Sequence, residues 1–362
     1  MTLKELLLTL GSTALLSACS PQISDLPVMD ISCNVSIANT TDTASVISLT
    51  MAFIPEATDS TLISYPHLAG ILNGKYYLDS NGVLTVFDRN GKCVSSANRV
   101  GQGPEEYVAY AGAFANKTND GWVVTAYPFG VKSYTSDVKY ISTDTLTAMT
   151  NLKPLGNGWI ATNNGLVEDT VKLFYYDSNF RLTDSITTKF KHRAYKVYGG
   201  INVLSCHLYS NGDDAFMVRN DTILNVTDPR HGALPVAIAR LSDRMVPEDL
   251  DMAAHPNWYE EYIEPEYIFG KDYVMVNFSS APHHLTMQVY SLSTGKLVLS
   301  LSTEISKERP GIEMAYHDGV VFLRPMYYAD GDRFYFYASD EQMIKMTGSE
   351  DANPGIFYLE IK

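Results

Sequence analysis

The chain predicts an all-β fold: a β-propeller of four-stranded antiparallel blades, six preferred and seven possible. Three observations carry this reading. Short strands rich in apolar, aromatic and β-branched residues alternate with tight turn signals along most of the 362 residues. Helical periodicity is scarce. No long polar, Pro-rich or Gly/Ser-rich linker divides the chain after residue 45, so the strand–turn units read as one repetitive domain. A pair of β-sandwiches, the rival architecture, would show a linker near the middle. At about 45–55 residues per blade, about 320 residues make six or seven blades.

Residues 1–18 read as a lipoprotein signal peptide. Lys4 supplies a positive start, and Leu6 to Leu16 form an apolar run too short to be a permanent membrane span. Leu16-Ser17-Ala18-Cys19 resembles a bacterial lipobox, with small residues before the cut and a thiol to accept the lipid. Glu5 departs from the usual acid-free start, and an ordinary secretory signal with a chance cysteine is the competing reading. Residues 19–45 then hold the lipidated Cys19 and a tether, and residues 46–362 the propeller. Ser20 follows the cysteine, where an Asp would resemble an inner-membrane retention signal, so the expected location is the outer membrane, on a side the sequence does not choose. Several acyl chains on one residue anchor durably, at about 0.8 kcal/mol per buried methylene.

The body opens with 72–79 and 83–88 flanking Asn81-Gly82, followed by 93–100 after Asn90-Gly91. Asn-Gly pairs can place both residues at positive φ, as a type I′ hairpin turn requires. Residues 72–100 are therefore expected to form a three-stranded meander. The pattern recurs in 172–187, in 287–302 around Ser293-Thr294-Gly295, and in 319–339 around Asp330-Gly331. The apolar strand 355–362 suits closure of the ring by pairing of the two chain ends. The best helical segment is 246–263, broken by Pro256.

Lys plus Arg is 27 against 41 Asp plus Glu, a formal charge of −14. This excludes a phosphate-backbone binder, so no nucleic-acid partner is expected. It also disfavours adhesion to an anionic membrane except through the lipid anchor. With Cys19 lipidated, Cys33, Cys93 and Cys206 remain, without CxxC spacing. One disulfide would suit an exported protein, but the sequence does not choose its pair.

Residues 51–114 carry a more specific pattern. It runs Ile54-Pro55-Glu56-Ala57-Thr58, Asn73-Gly74-Lys75-Tyr76-Tyr77, Phe87-Asp88-Arg89-Asn90-Gly91-Lys92 and Gly101-Gln102-Gly103-Pro104-Glu105-Glu106-Tyr107. This order resembles the first blade of the bacterial six-bladed β-propeller lipoproteins, the TolB-like and NHL-like propellers. Ala57 stands where Leu-Glu is usual, and Glu105 where Gly is usual. Asn220-Asp221-Thr222-Ile223-Leu224 before Pro235 resembles a second hairpin of that family, with Leu224 in place of Tyr. The resemblance implies the fold and binding near the outer membrane, and assigns no activity.

Candidate chemistry is sparse. Gly101–Tyr107 lacks the Lys-Ser/Thr of a phosphate loop and reads as a turn between blades. Eight histidines form no HxxxH or HExxH, and adjacent residues such as His283 and His284 point to opposite faces of a strand. They are kept as ligand-binding candidates without a metal. Trp258, Tyr259, Glu260, Glu261 and Tyr262 form an acidic aromatic stretch suited to a carbohydrate surface, against which stands ordinary packing of the rings on a blade. No G-x-S-x-G elbow, metal set or cofactor motif is present. The expected function is a binding or scaffold module for an unknown protein or carbohydrate ligand. The alternative is a propeller hydrolase or lyase acting on a polysaccharide or peptide, which converging histidines or paired carboxylates in the channel would favour.

Overall fold

The computed structural model describes residues 23–32, 46–58, 61–126, 130–146, 151–163, 170–189, 194–197, 201–204, 207–219, 221–241, 254–255, 257, 261–281, 283–349 and 351–362. They build a six-bladed β-propeller of four-stranded antiparallel blades. Blade 1 runs outward from the channel as His67–Leu72, Lys75–Ser80, Val83–Asp88 and Cys93–Asn98. Blades 2 to 5 repeat the order, with innermost strands Tyr110–Asn116, Asn151–Leu155, Leu208–Ser210 and Glu266–Phe269.

The chain ends share blade 6. The second half of Gly319–Asp330 lies innermost, then Arg333–Ala338, Gly355–Ile361 and, outermost, Ile47–Phe53. The expected closure by the carboxy-terminal strand is thus present. The first half of Gly319–Asp330 leaves the blade to pair with Ile312–Tyr316, and the register shifts between Pro325 and Ala329.

Six apolar clusters fill the six interfaces between neighbouring blades among the described residues. Strand alternation explains how one strand serves two of them. In Gly121–Ala126, Trp122 and Val124 face blade 1 while Val123 faces blade 3. All six residues of that strand are buried, and its one polar side chain, Thr125, donates to the Gly112 main-chain oxygen, so no polar face is exposed.

Turn chemistry behaves partly as expected. Asn81 and Gly82 both take positive φ, at 52° and 86°, as a type I′ turn demands. At the next Asn-Gly only Gly91 does so, and the Asp88 carboxylate organises that turn by accepting from the Asn90 and Lys92 amides. The expected three-stranded meander is a four-stranded blade, because Asn73 and Gly74 make a further turn at φ 50° and 72° and separate the strand His67–Leu72.

One expectation is corrected. Part of the segment 19–45 expected as tether lies within the propeller: Val28–Ile31 adds a fifth, parallel strand to the outer edge of blade 4. Met29 and Ile31 are fully buried there, which gives this segment an apolar reason to dock. Helical structure is found at Asp340–Thr347, capped by the Ser339 hydroxyl and ended by Gly348 at φ 71°. Most of 246–263 lies outside the described residues, as do Cys19, Cys33 and Cys206; Cys93 is a free thiol. Among the described residues no helix is long and apolar enough to cross a membrane.

Candidate functional site

The six innermost strands run in the same sense, so one mouth of the channel is rimmed by their starts and the other by the turns at their ends. The turns are laced together around the ring. Lys75 and Asn73 reach Asp120 at 3.3 and 3.2 Å, joining blades 1 and 2. Lys117 meets Asp213 at 3.2 Å, spanning from blade 2 to blade 4. The Gly156 amide donates to Gly212, Asn211 Nδ2 to Gly270, and the Lys271 amide to Gly331, which continues the ring from blade 3 to blade 6. The Ile71 amide donating to the Tyr328 hydroxyl joins blades 1 and 6. Close packing of small residues tightens the centre: a Cβ on Gly70 would stand 2.6 Å from Ala115 Cβ.

The other mouth holds a cavity of 830 Å³, walled by residues of blades 1, 3, 4, 5 and 6. Its size lies within the range of small-ligand pockets. Its two halves differ in chemistry. His67 and Lys153, from blades 1 and 3, face each other's charge, and Glu264 and Glu266 stand on the wall of blade 5. Tyr209 and Tyr267 add aromatic surface and pack edge to face. His67 is exposed toward the cavity and Lys153 half-buried in its wall. Burial lowers the pKa of Lys153. Burial, then the Lys153 charge, lowers that of His67, whose ordinary value is 6.5.

On blade 5, Glu266 pairs across the ladder with Asn277. Glu266 accepts a hydrogen bond from the Tyr327 hydroxyl at 2.5 Å, and burial with this carboxylate pushes the phenol pKa up. Tyr327 sits at φ 53°, uncommon for a large side chain, at the place where the innermost strand of blade 6 is out of register. Asn277 is 3% exposed, and neither its amide nitrogen nor its oxygen has a hydrogen-bond partner. Such a group costs about 1–3 kcal/mol when left unsatisfied, so a polar cavity-lining amide of this kind is suited to a ligand.

The residues singled out from sequence fall elsewhere. Trp258, Tyr259 and Glu260 lie outside the described residues. Glu261 is exposed and Tyr262 half-buried, and neither lines the cavity, although Glu264 a short way along does. His283 occupies the exposed turn between the second and third strands of blade 5 at φ 62°, and His284 begins the third; neither lines the cavity, although the adjoining Leu285 does. Among the described residues no three His, Cys, Asp or Glu side chains converge as metal ligands. Glu264 and Glu266 do bring two carboxylates to the channel, but on one wall and two residues apart. Glycoside hydrolysis needs a pair flanking the bond.

The Gly101–Tyr107 loop is structural, as expected. Its Glu106 carboxylate folds inward to accept from the Gly103 amide at 2.9 Å, and the Tyr107 hydroxyl donates to Gly82. At the unusual Glu105 the main-chain oxygen takes the Tyr134 hydroxyl at 2.8 Å. Lys153, His67 and Asn277 escaped the sequence reading. The one available signal was Lys153 itself, a lone cation between Leu152 and Pro154 in a strand.

Residues 27–198 match the family model DUF5128, described as a 6-bladed beta-propeller. A crystal structure of a protein described as exported, from Bacteroides fragilis, superposes with a TM-score of 0.64 at 16% identity, covering 92% of this chain and 98% of that one. A member of the DUF4221 family from Bacteroides vulgatus gives a TM-score of 0.53 at 11% identity, covering 88% and 99%. At these identities the likeness is one of fold. No curated protein matches the chain in sequence.

Proposed function

We propose that this protein is a lipid-anchored binding module of the cell envelope that takes its ligand into the open mouth of the propeller channel. The observation that carries the reading is Asn277, buried in the wall of the 830 Å³ cavity with both amide atoms unpartnered. A wall built only for packing would hold an apolar side chain there. The lacing of turns at the opposite mouth supports entry from one side. The lipobox-like sequence at Cys19 supports attachment to the outer membrane, and the exported description of the Bacteroides fragilis relative agrees with an envelope location.

Two experiments test this. Metabolic labelling with a fatty acid should mark the wild-type protein and not Cys19→Ala; equal labelling overturns the anchor. A ligand screen read by chemical-shift changes should place its hits on residues lining the cavity, and Asn277→Leu should weaken them. Hits confined to the outer blade edges overturn the channel as the site.

A further inference from the structure

Lys153 is a half-buried cation of the cavity wall. Its neighbour across the interface is an aromatic ring, Phe114, with the ammonium 5.5 Å from the centroid. It makes no ion pair with any described residue, while Lys75, Lys117, Lys139, Arg230, Arg240 and Arg333 each do. Burial lowers its pKa. The acids of the same cavity stand on blade 5, two blades from Lys153, and Glu266 is engaged by Tyr327. An ammonium held in a partly enclosed channel without a counter-ion is costly. In a chain of net charge −14, acidic residues were abundant as partners.

The cavity therefore has an unmatched cation, Lys153, on blade 3. On blade 5 it has the Asn277 amide without hydrogen-bond partners and an acceptor-rich wall of Glu264 and Glu266, while the Arg324 guanidinium of blade 6 donates to the Pro310 main-chain oxygen. An acceptor-rich wall needs a ligand with many donors. Hydroxyls, which donate and accept, fit it better than a peptide backbone, which donates once per residue. Half-buried Tyr209, backed by the buried Tyr267, offers aromatic surface for the C–H side of a sugar ring.

We propose that the channel seats a carboxylate-bearing sugar, its carboxylate on Lys153 and its hydroxyls on Asn277 and the Glu264–Glu266 wall. This rests on the channel being a ligand site and names the ligand class for it. His67, beside Lys153, adds a second donor to the carboxylate.

The test is titration of the full-length protein, followed by calorimetry and chemical shifts, with short glucuronic acid oligosaccharides, the matching glucose oligosaccharides, and a tetrapeptide with a free carboxyl terminus. The acidic sugar should bind at least about tenfold more tightly than the neutral one, the worth of one hydrogen-bonded charge pair. Lys153→Met should abolish that preference and leave weak binding to both sugars. Its melting transition shows that the variant is folded, and Lys153→Arg should retain the preference in part. Equal binding of acidic and neutral sugars, a preference unchanged in Lys153→Met, or tighter binding of the peptide overturns the acidic-sugar assignment. In those three cases shifts on channel residues leave the binding module standing. Shifts on no channel residue with any probe overturn both.

Discussion

The hydroxyl of Tyr290, in the third strand of blade 5, donates to the main-chain oxygen of Asp30 at 2.8 Å and also reaches Gln288 Oε1. Gln288 in turn donates to the main-chain oxygen of Ser32 at 2.9 Å. The amino-terminal strand is thus paired with blade 4 and bolted to blade 5, across one interface of the ring. Tyr290→Phe keeps the ring in its cluster and removes one neutral hydrogen bond, so the expected loss is about 1 kcal/mol in urea unfolding. Limited proteolysis should then cut earlier near residues 23–32 than elsewhere. Equal cleavage rates in variant and wild type would show that the bolt carries no load.

A second fastening joins the chain ends at blade 6. Asn353 is 1% exposed; its Oδ1 accepts from the Ile63 amide, and its Nδ2 donates to the main-chain oxygens of Glu56 and Thr61. Asn353→Ala leaves one buried amide and two carbonyls without these partners, and should cost about 2–4 kcal/mol. Differential scanning calorimetry reads the loss; a change under 1 kcal/mol would mean that water replaces the side chain.

Two glycines of blade 1 separate conformational strain from lack of space. Gly74 and Gly91 both take positive φ, at 72° and 81°. A Cβ on Gly74 meets nothing within 4 Å, while one on Gly91 would lie 2.2 Å from the Ile54 oxygen. Gly74→Ala should therefore cost about 1 kcal/mol. Gly91→Ala should cost more than about 2 kcal/mol, because the backbone of the segment after Ile47–Phe53 must move. Chemical denaturation of the two variants side by side checks the order.

Lys153 makes stability depend on pH in a defined direction. Its folded pKa lies below the unfolded value near 10.5, so the unfolded chain binds more protons between those two values. The penalty is full below the folded pKa and is relieved as pH rises through it. Lys153→Met should raise the melting temperature at neutral pH by on the order of 2 °C. That advantage should shrink toward alkaline pH. His67, with its pKa lowered from 6.5, works in the same sense in acid: stability falls as pH drops through 6.5 and levels off below the folded value. His67→Phe should flatten that part of the profile, and an unchanged acid limb would locate the effect in other groups.

The sequence by itself determined the all-β class, a propeller of four-stranded blades with six preferred over seven, and the closure by the last strand. These follow from local chemistry: Asn81-Gly82 can adopt the left-handed pair a hairpin needs, and Gly355–Ile361 is apolar enough to be buried between neighbours. The Gly101–Tyr107 loop was legible for the same reason, since its partners lie within the loop or in adjoining strands. Tertiary structure alone decided that His67, Lys153, Glu266, Asn277 and Tyr327 share one cavity, because they come from four blades and up to 260 residues apart. It also decided that Met29 and Ile31 dock on blade 4 although they precede blade 1 in the chain. A propeller gathers its site from the starts of separate innermost strands. No spacing along the chain encodes which side chain of each strand faces the axis, and ring closure alone brings them together.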